Sequence, residues 1–295
     1  MSFIDAVIQY DFLQKALMTS IMVGIICGVI GCFIILRGMA LMGDAISHAV
    51  LPGVAISYVL GINFFVGAVF TGVLTAIGIG FVSQNSRIKN DIAIGIMFTA
   101  AFALGIVLIT FMKSSTDLYH ILFGNVLAVR PSDMWITLGI GVFVLTTIYL
   151  FYKELLITSF DSTMSAAYGL PNKWIHYFLM TLLTMVTVAS LQTVGIVLVV
   201  AMLITPAATA YLLTDRLWIM LYLAAGFGIV SSVIGLYFSF TYNLPSGATI
   251  VLIATFMFLL TFAFSPKHGL LWRTLKVRRK KKSLANKPKV ILKEN

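Results

Sequence analysis

Long apolar runs separated by short polar breaks dominate this chain. Runs long enough to cross a bilayer cover residues 13–36, 39–60, 64–82, 92–112, 134–151, 174–190, 195–213, 217–240 and 248–264. A helix needs roughly 20 apolar residues to cross the hydrocarbon layer, so the pattern predicts about nine membrane helices. Two divisions are soft. The break at Gln192 and Thr193 is barely polar, and 39–60 also reads as a partly re-entrant segment, which leaves eight spans open. The fold class expected is all-α and polytopic, with eight or nine transmembrane helices. Residues 1–14 carry no basic region or small-residue cleavage pattern, so no removable signal peptide is expected.

Composition agrees with the pattern. The 295 residues are 60% hydrophobic and 10% charged, whereas soluble domains carry about 25% charged residues because their surface is wet. Ten per cent cannot cover a soluble globule of this size, so most of the surface faces lipid.

The net charge of +10 is not spread over the chain. Eleven of the twenty Lys and Arg lie between Lys267 and Lys293, opposed there only by Glu294, and the remaining body is neutral. A basic cluster directly after an apolar segment is held at the anionic cytoplasmic leaflet and reads as an orientation signal, not as a nucleic-acid site. With that tail inside, Arg37, Arg87, Lys89, Lys153, Lys173 and Arg216 fall in inside loops. The outside loops hold Lys113 and Arg130, balanced by Asp117 and Asp133. This distribution obeys the positive-inside rule. Nine spans put the N-terminus outside and the C-terminus in the cytoplasm.

The sharpest chemical feature lies in the second apolar run. Asp44 and His48 are four residues apart and share one face of a helix. A carboxylate beside an imidazole suits manganese, iron or zinc. Asp44 is also the one acid inside an apolar run, where an ionisable group normally faces a cavity or pathway. A structural Asp–His hydrogen bond, or an Asp wetted near the membrane surface, stays open as the plainer reading. Two ligands leave a site incomplete, so the rest must come from a second chain, backbone carbonyls or water.

Other candidates carry less. His120, His176 and His268 each lack a neighbouring acid or cysteine, and Cys27 and Cys32 match no metal or redox spacing. Glycines such as Gly24, Gly28 and Gly31 point to close helix packing. Pro206 either kinks its helix or frees a carbonyl. Two loops exceed a turn. The outside one, 113–133, holds His120. In the inside one Asp161 can cap a short helix, Gly169 can end it and Pro171 enforces the stop. Without a partner this would be an interfacial helix. A glycine-rich phosphate loop, a His-Glu-x-x-His pair and a Gly-x-Ser-x-Gly elbow are all missing, which argues against ATP binding or hydrolytic chemistry by this chain.

The residues from Arg37-Gly38-Met39 through Gly43-Asp44-Ala45-Ile46-Ser47-His48 to Leu51-Pro52-Gly53 resemble the signature of the zinc/manganese/iron permease family of bacterial ATP-binding cassette importers. The resemblance continues from Val194-Gly195 to Pro206-Ala207-Ala208-Thr209-Ala210, and at Leu244-Pro245-Ser246-Gly247. It covers the chain up to about residue 267, beyond which the tail, 267–295, has no counterpart. It implies the vitamin-B12-importer type of permease fold over 1–266, a homodimer in the bacterial cytoplasmic membrane, two cytoplasmic ATPase subunits and an external metal-binding protein. It implies that Asp44 and His48 line the metal path, and that 158–171 forms a cytoplasmic coupling helix with Asp161, Ser165 and Gly169 at the family's positions. Ser165 stands where Ala is usual. Asn243 stands where Asp is common, which puts a ligand or gating role there in doubt.

The function expected is therefore import of a divalent metal as transported cargo, with manganese favoured over zinc or iron and no resident cofactor. Hydrolysis of ATP would belong to a separate subunit. A proton-coupled secondary metal transporter is the alternative, and a membrane enzyme using Asp44 and His48 is a more distant one.

Overall fold

The computed structural model describes residues 3–111, 126–160 and 162–265, and every regular element among them is helical. In chain order they are α1 (Phe3–Gln9), α2 (Asp11–Leu36), α3 (Met42–Ala49), α4 (Leu51–Leu60), α5 (Phe64–Asn85) and α6 (Asn90–Phe111). A short 3₁₀ turn, Val126–Ala128, precedes α7 (Pro131–Leu150), α8 (Tyr152–Phe160) and α9 (Ser162–Ala167). The chain continues as α10 (Asn172–Val194), α11 (Ile196–Leu213), α12 (Leu217–Tyr242) and α13 (Ser246–Phe264). Taking α3 and α4 together, nine segments among the described residues are long and apolar enough to cross a membrane. In hydrocarbon the backbone must bond within its own segment, and helices do so.

Two breaks differ from the sequence reading, each for a local reason. The run 39–60 is two helices that meet at Val50 and Leu51, because Pro52 has no N–H to donate to the carbonyl one turn back at His48. The division between α10 and α11 falls at Gly195, not at Gln192 and Thr193. Thr193 lies within the helix, its hydroxyl satisfied on the Ser190 carbonyl at 2.9 Å. Gly195 turns the chain with φ +84°, a conformation that favours glycine.

The central helix is α2, which packs against α7, α10, α11 and α12. Where α2 crosses α12, a Cβ on Gly24 would stand 2.7 Å from the Gly228 carbonyl oxygen, and one on Gly228 would stand 2.3 Å from that of Gly24. Helices in lipid gain little from the hydrophobic effect against each other, so close backbone approach at small residues holds them. Ser232 adds a hydroxyl bond to the Ser20 carbonyl at 2.9 Å across the same seam.

Two contacts gather one end of the bundle. Ser265 donates to the Leu212 carbonyl at 2.6 Å, joining the end of α13 to the end of α11. Arg37, just past α2, reaches the last turn of α8. Here too stands the short helix expected after Asp161, a residue outside the described ones. It runs over Ser162–Ala167 and ends as the sequence suggests, with Gly169 at φ +73°. The Leu170 N–H then bonds the Ser165 carbonyl at 3.1 Å, and the Gly169 N–H bonds Ala166 at 3.0 Å.

Candidate metal site

The eight residues of α3 are buried except at two positions. Met42, Gly43, Ala45, Ile46, Ser47 and Ala49 are covered, whereas the Asp44 and His48 side chains are 45% and 23% exposed. The spacing of four puts both on the uncovered face. Neighbouring residues seat the helix firmly. Gly43 packs on Leu203 of α11, where a Cβ would come within 2.7 Å of Cδ1, and the backbone of Leu203 presses on Gly31 of α2. The first turn of α3 thus packs on α11, which in turn packs on α2. Ser47 satisfies its buried hydroxyl on the Gly43 carbonyl at 2.8 Å.

The uncovered face opens on a cavity of about 530 Å³. Its other wall is one stripe of α11: Ile196, Val197, Val200, Ala201, Ile204 and Thr205. These recur at helical spacing, so the cavity follows a single face of that helix. Apart from the Thr205 hydroxyl the stripe is apolar, and the polar chemistry concentrates on Asp44 and His48.

His48 Nε2 lies 3.5 Å from Asp44 Oδ1. That separation is at the far limit of a hydrogen bond. The pair is therefore a loose one, and both groups line the same cavity. The imidazole is held from behind. Phe98 and Phe102, one turn apart on α6, place their ring centroids 5.5 and 5.3 Å from it, with Phe102 edge-on. Nδ1 is buried without a hydrogen-bond partner among the described residues, which leaves Nε2 as the atom offered toward Asp44 and the cavity. Lone pairs from one oxygen and one nitrogen can bind a borderline divalent cation. No group of three or more His, Cys, Asp and Glu that could hold a metal ion exists among the described residues, and at this cavity those residues offer two such side chains, Asp44 and His48.

Other predicted positions fall elsewhere. His120 and His268 lie outside the described residues, as does the basic tail. His176 sits in the first turns of α10, its Nε2 buried and unbonded among the described residues. Ser165 is buried in α9 and donates to Oδ1 of Asn172 at the start of α10, so the hydroxyl in place of a methyl ties the short helix down. Asn243 is exposed and ends α12 with φ +51°. Beside it the Leu244 N–H bonds the Ser239 carbonyl at 3.0 Å, and the Ser239 hydroxyl bonds the Leu244 carbonyl at 2.7 Å. Asn tolerates this left-handed conformation better than most residues. The segment after it packs against the α10–α11 junction, with Gly247 beside Leu198 and Val194.

Sequence reasoning missed Phe98 and Phe102, since two phenylalanines four apart in an apolar run look like any lipid-facing or core pair. It also missed the reach of Arg37 to α8, although Arg37 begins the signature stretch.

The family model described as the ABC 3 transport family matches residues 9–265. The manganese transport system membrane protein MntC of Listeria monocytogenes is 67% identical over 272 residues, covering 92% of this chain and 97% of that protein. A chain in the structure of PsaBC from Streptococcus pneumoniae in complex with Fab superposes with a TM-score of 0.83 at 54% identity, covering 94% of this chain and 98% of that one. An inward-facing metal-chelate type ABC transporter superposes with a TM-score of 0.67 over 84% of each chain; at 15% identity the likeness is one of fold.

Proposed function

The chain belongs to the ABC 3 transport family, and from that premise we propose that it forms the membrane path of an ATP-driven importer for manganese(II). It is a transport component, and ATP hydrolysis belongs to a separate partner subunit. Manganese is favoured because a relative 67% identical over nearly the whole chain is named for manganese transport. Nothing supports the proton-coupled alternative.

One observation carries the site assignment: the two uncovered positions of a buried helix are a carboxylate and an imidazole aimed into one cavity. In this reading an external binding protein delivers the ion at the end of the bundle opposite Arg37. The ion exchanges part of its water shell for Asp44 Oδ1 and His48 Nε2. A second copy of the chain and water supply the remaining ligands, since manganese accepts about six donors in octahedral array. Few protein ligands suit a cargo that must leave again. The basic loops face the cytoplasm by the positive-inside rule. Asp161, Ser165 and Gly169 then present α9 to the ATPase, whose closure drives the change of access. Of these, Ser165 and Gly169 hold the short helix in place through Asn172 and the left-handed turn.

Uptake of radioactive manganese(II) by cells whose own permease is replaced by Asp44→Ala or His48→Ala tests the assignment. Both variants are expected to reach the membrane and to lose at least about tenfold in uptake, as loss of a ligand or its support does at metal sites. Wild-type uptake by both would remove these residues from the path.

A further inference from the structure

The importer reading leaves Arg37 without a task, yet its surroundings give it one. Arg37 stands at the joint between α2 and α3. Its N–H bonds the Phe33 carbonyl at 3.1 Å, and the next two N–H groups, of Gly38 and Met39, bond Ile35 and Ile34 at 3.0 Å. Gly38, at φ +65°, then turns the chain toward α3, where Asp44 lies seven residues beyond Arg37. The base of this side chain is therefore fixed to the end of α2, and a turn closed by the Met42 N–H on the Met39 carbonyl at 3.0 Å leads from it into the metal-bearing helix.

Its guanidinium reaches across to α8. Nε donates to the Ser159 hydroxyl at 3.2 Å and Nη2 to the Thr158 hydroxyl at 2.8 Å. Thr158 donates its own proton to the Glu154 carbonyl at 2.8 Å, which leaves its oxygen free to accept from Arg37. Both acceptors are in the last turn of α8, immediately before the segment that continues into α9. Among the described residues no carboxylate pairs with Arg37. Glu154, one turn earlier on the same face of α8, is not bonded to it. Burial pulls the guanidinium down to about 10, which still leaves it charged at neutral pH. A charged, partly buried arginine bonded to two neutral hydroxyls makes a directional joint.

We propose that Arg37 is the positioning residue that fastens the segment facing the ATPase, α8–α9, to the end of α2, from which the chain turns directly into the helix that carries Asp44 and His48, so that movement of one is felt by the other. The proposal rests on the importer reading. Coupling between two sites is a free energy carried by a physical connection with discrete arrangements. Arg37 supplies a side-chain bridge between two elements 121 residues apart in sequence. Lysine has no planar fork and cannot make both bonds in the same geometry.

The test uses the full chain assembled with its ATPase and binding protein in vesicles, with ATP hydrolysis and manganese(II) uptake read in the same preparation. Arg37→Gln is expected to keep ATP turnover within about twofold while manganese taken up per ATP falls by about tenfold, the usual size of a coupling effect. Arg37→Lys should fall between. The double variant T158A/S159A, which keeps the arginine and removes its acceptors, should fall with Arg37→Gln and stands in for it if that protein fails to assemble. Uptake and hydrolysis falling in parallel, or both unchanged, would overturn the joint. If wild-type vesicles import no manganese(II), the importer reading fails by itself. The joint is then judged by stimulation of hydrolysis by the binding protein: lost in Arg37→Gln if the joint exists, kept if it does not.

Discussion

In the proposed metal path Asp44 is paired with an imidazole that its neighbours hold in place. The Phe98 and Phe102 rings occupy the sides of the imidazole, and Nδ1 is buried without a bond among the described residues. Aromatic contacts of this kind contribute about 0.5–1.5 kcal/mol, or roughly two- to twelvefold in an equilibrium. Phe102→Leu keeps the volume apolar and removes the edge contact. It should raise the manganese concentration for half-maximal uptake by about that factor and leave maximal uptake close to wild type. Dose–response curves separate this from a folding defect, which would lower the maximum. The Asp–His spacing was legible because helical geometry brings i and i+4 together. The phenylalanines were not, since nothing in an apolar run marks which rings face inward. Asn243 teaches the converse. Its difference from the family's usual Asp puts a chemical role in doubt, while its backbone supplies a structural one. At φ +51° an L-residue with a branched or apolar side chain is strained. Asn243→Ala should therefore cost about 1 kcal/mol, seen as earlier thermal unfolding, and Asn243→Gly should cost less.

Among elements, the short helix α9 shows how far local signals reach. Gly169 and Pro171 announce its end, and the structure ends it there with the left-handed glycine and the bond from Leu170 to Ser165. The bond from Ser165 to Asn172 was hidden, because it depends on how α9 folds back on the start of α10. Removing it by Ser165→Ala should leave the fold intact and cost about 1 kcal/mol in seating of α9. We expect faster limited proteolysis of the α8–α10 connection in the detergent-solubilised protein, measured against wild type. The second span is a similar case. Hydrophobicity alone reads 39–60 as one piece, and Pro52 decides otherwise by withholding a donor from His48. The division near residue 195 follows the backbone demand of Gly195, not the faint polarity of Gln192 and Thr193.

At the scale of the whole molecule, the described residues form a set of apolar helices held by small-residue crossings around α2, with the Asp44–His48 pair lining a cavity. The nine candidate spans among the described residues follow the hydrophobic run lengths, which by themselves left eight open as well. Which helices touch was not, because a membrane helix that is apolar all round carries no amphipathic stripe to point at its neighbours. Transport is therefore the direct test of the importer reading. Vesicles containing the full chain with its ATPase and binding protein should accumulate manganese(II) when ATP is supplied to the ATPase, and should lose this accumulation in the Asp44→Ala/His48→Ala double variant. ATP-driven uptake unchanged in that variant, or uptake by the chain alone under a proton gradient, would contradict it.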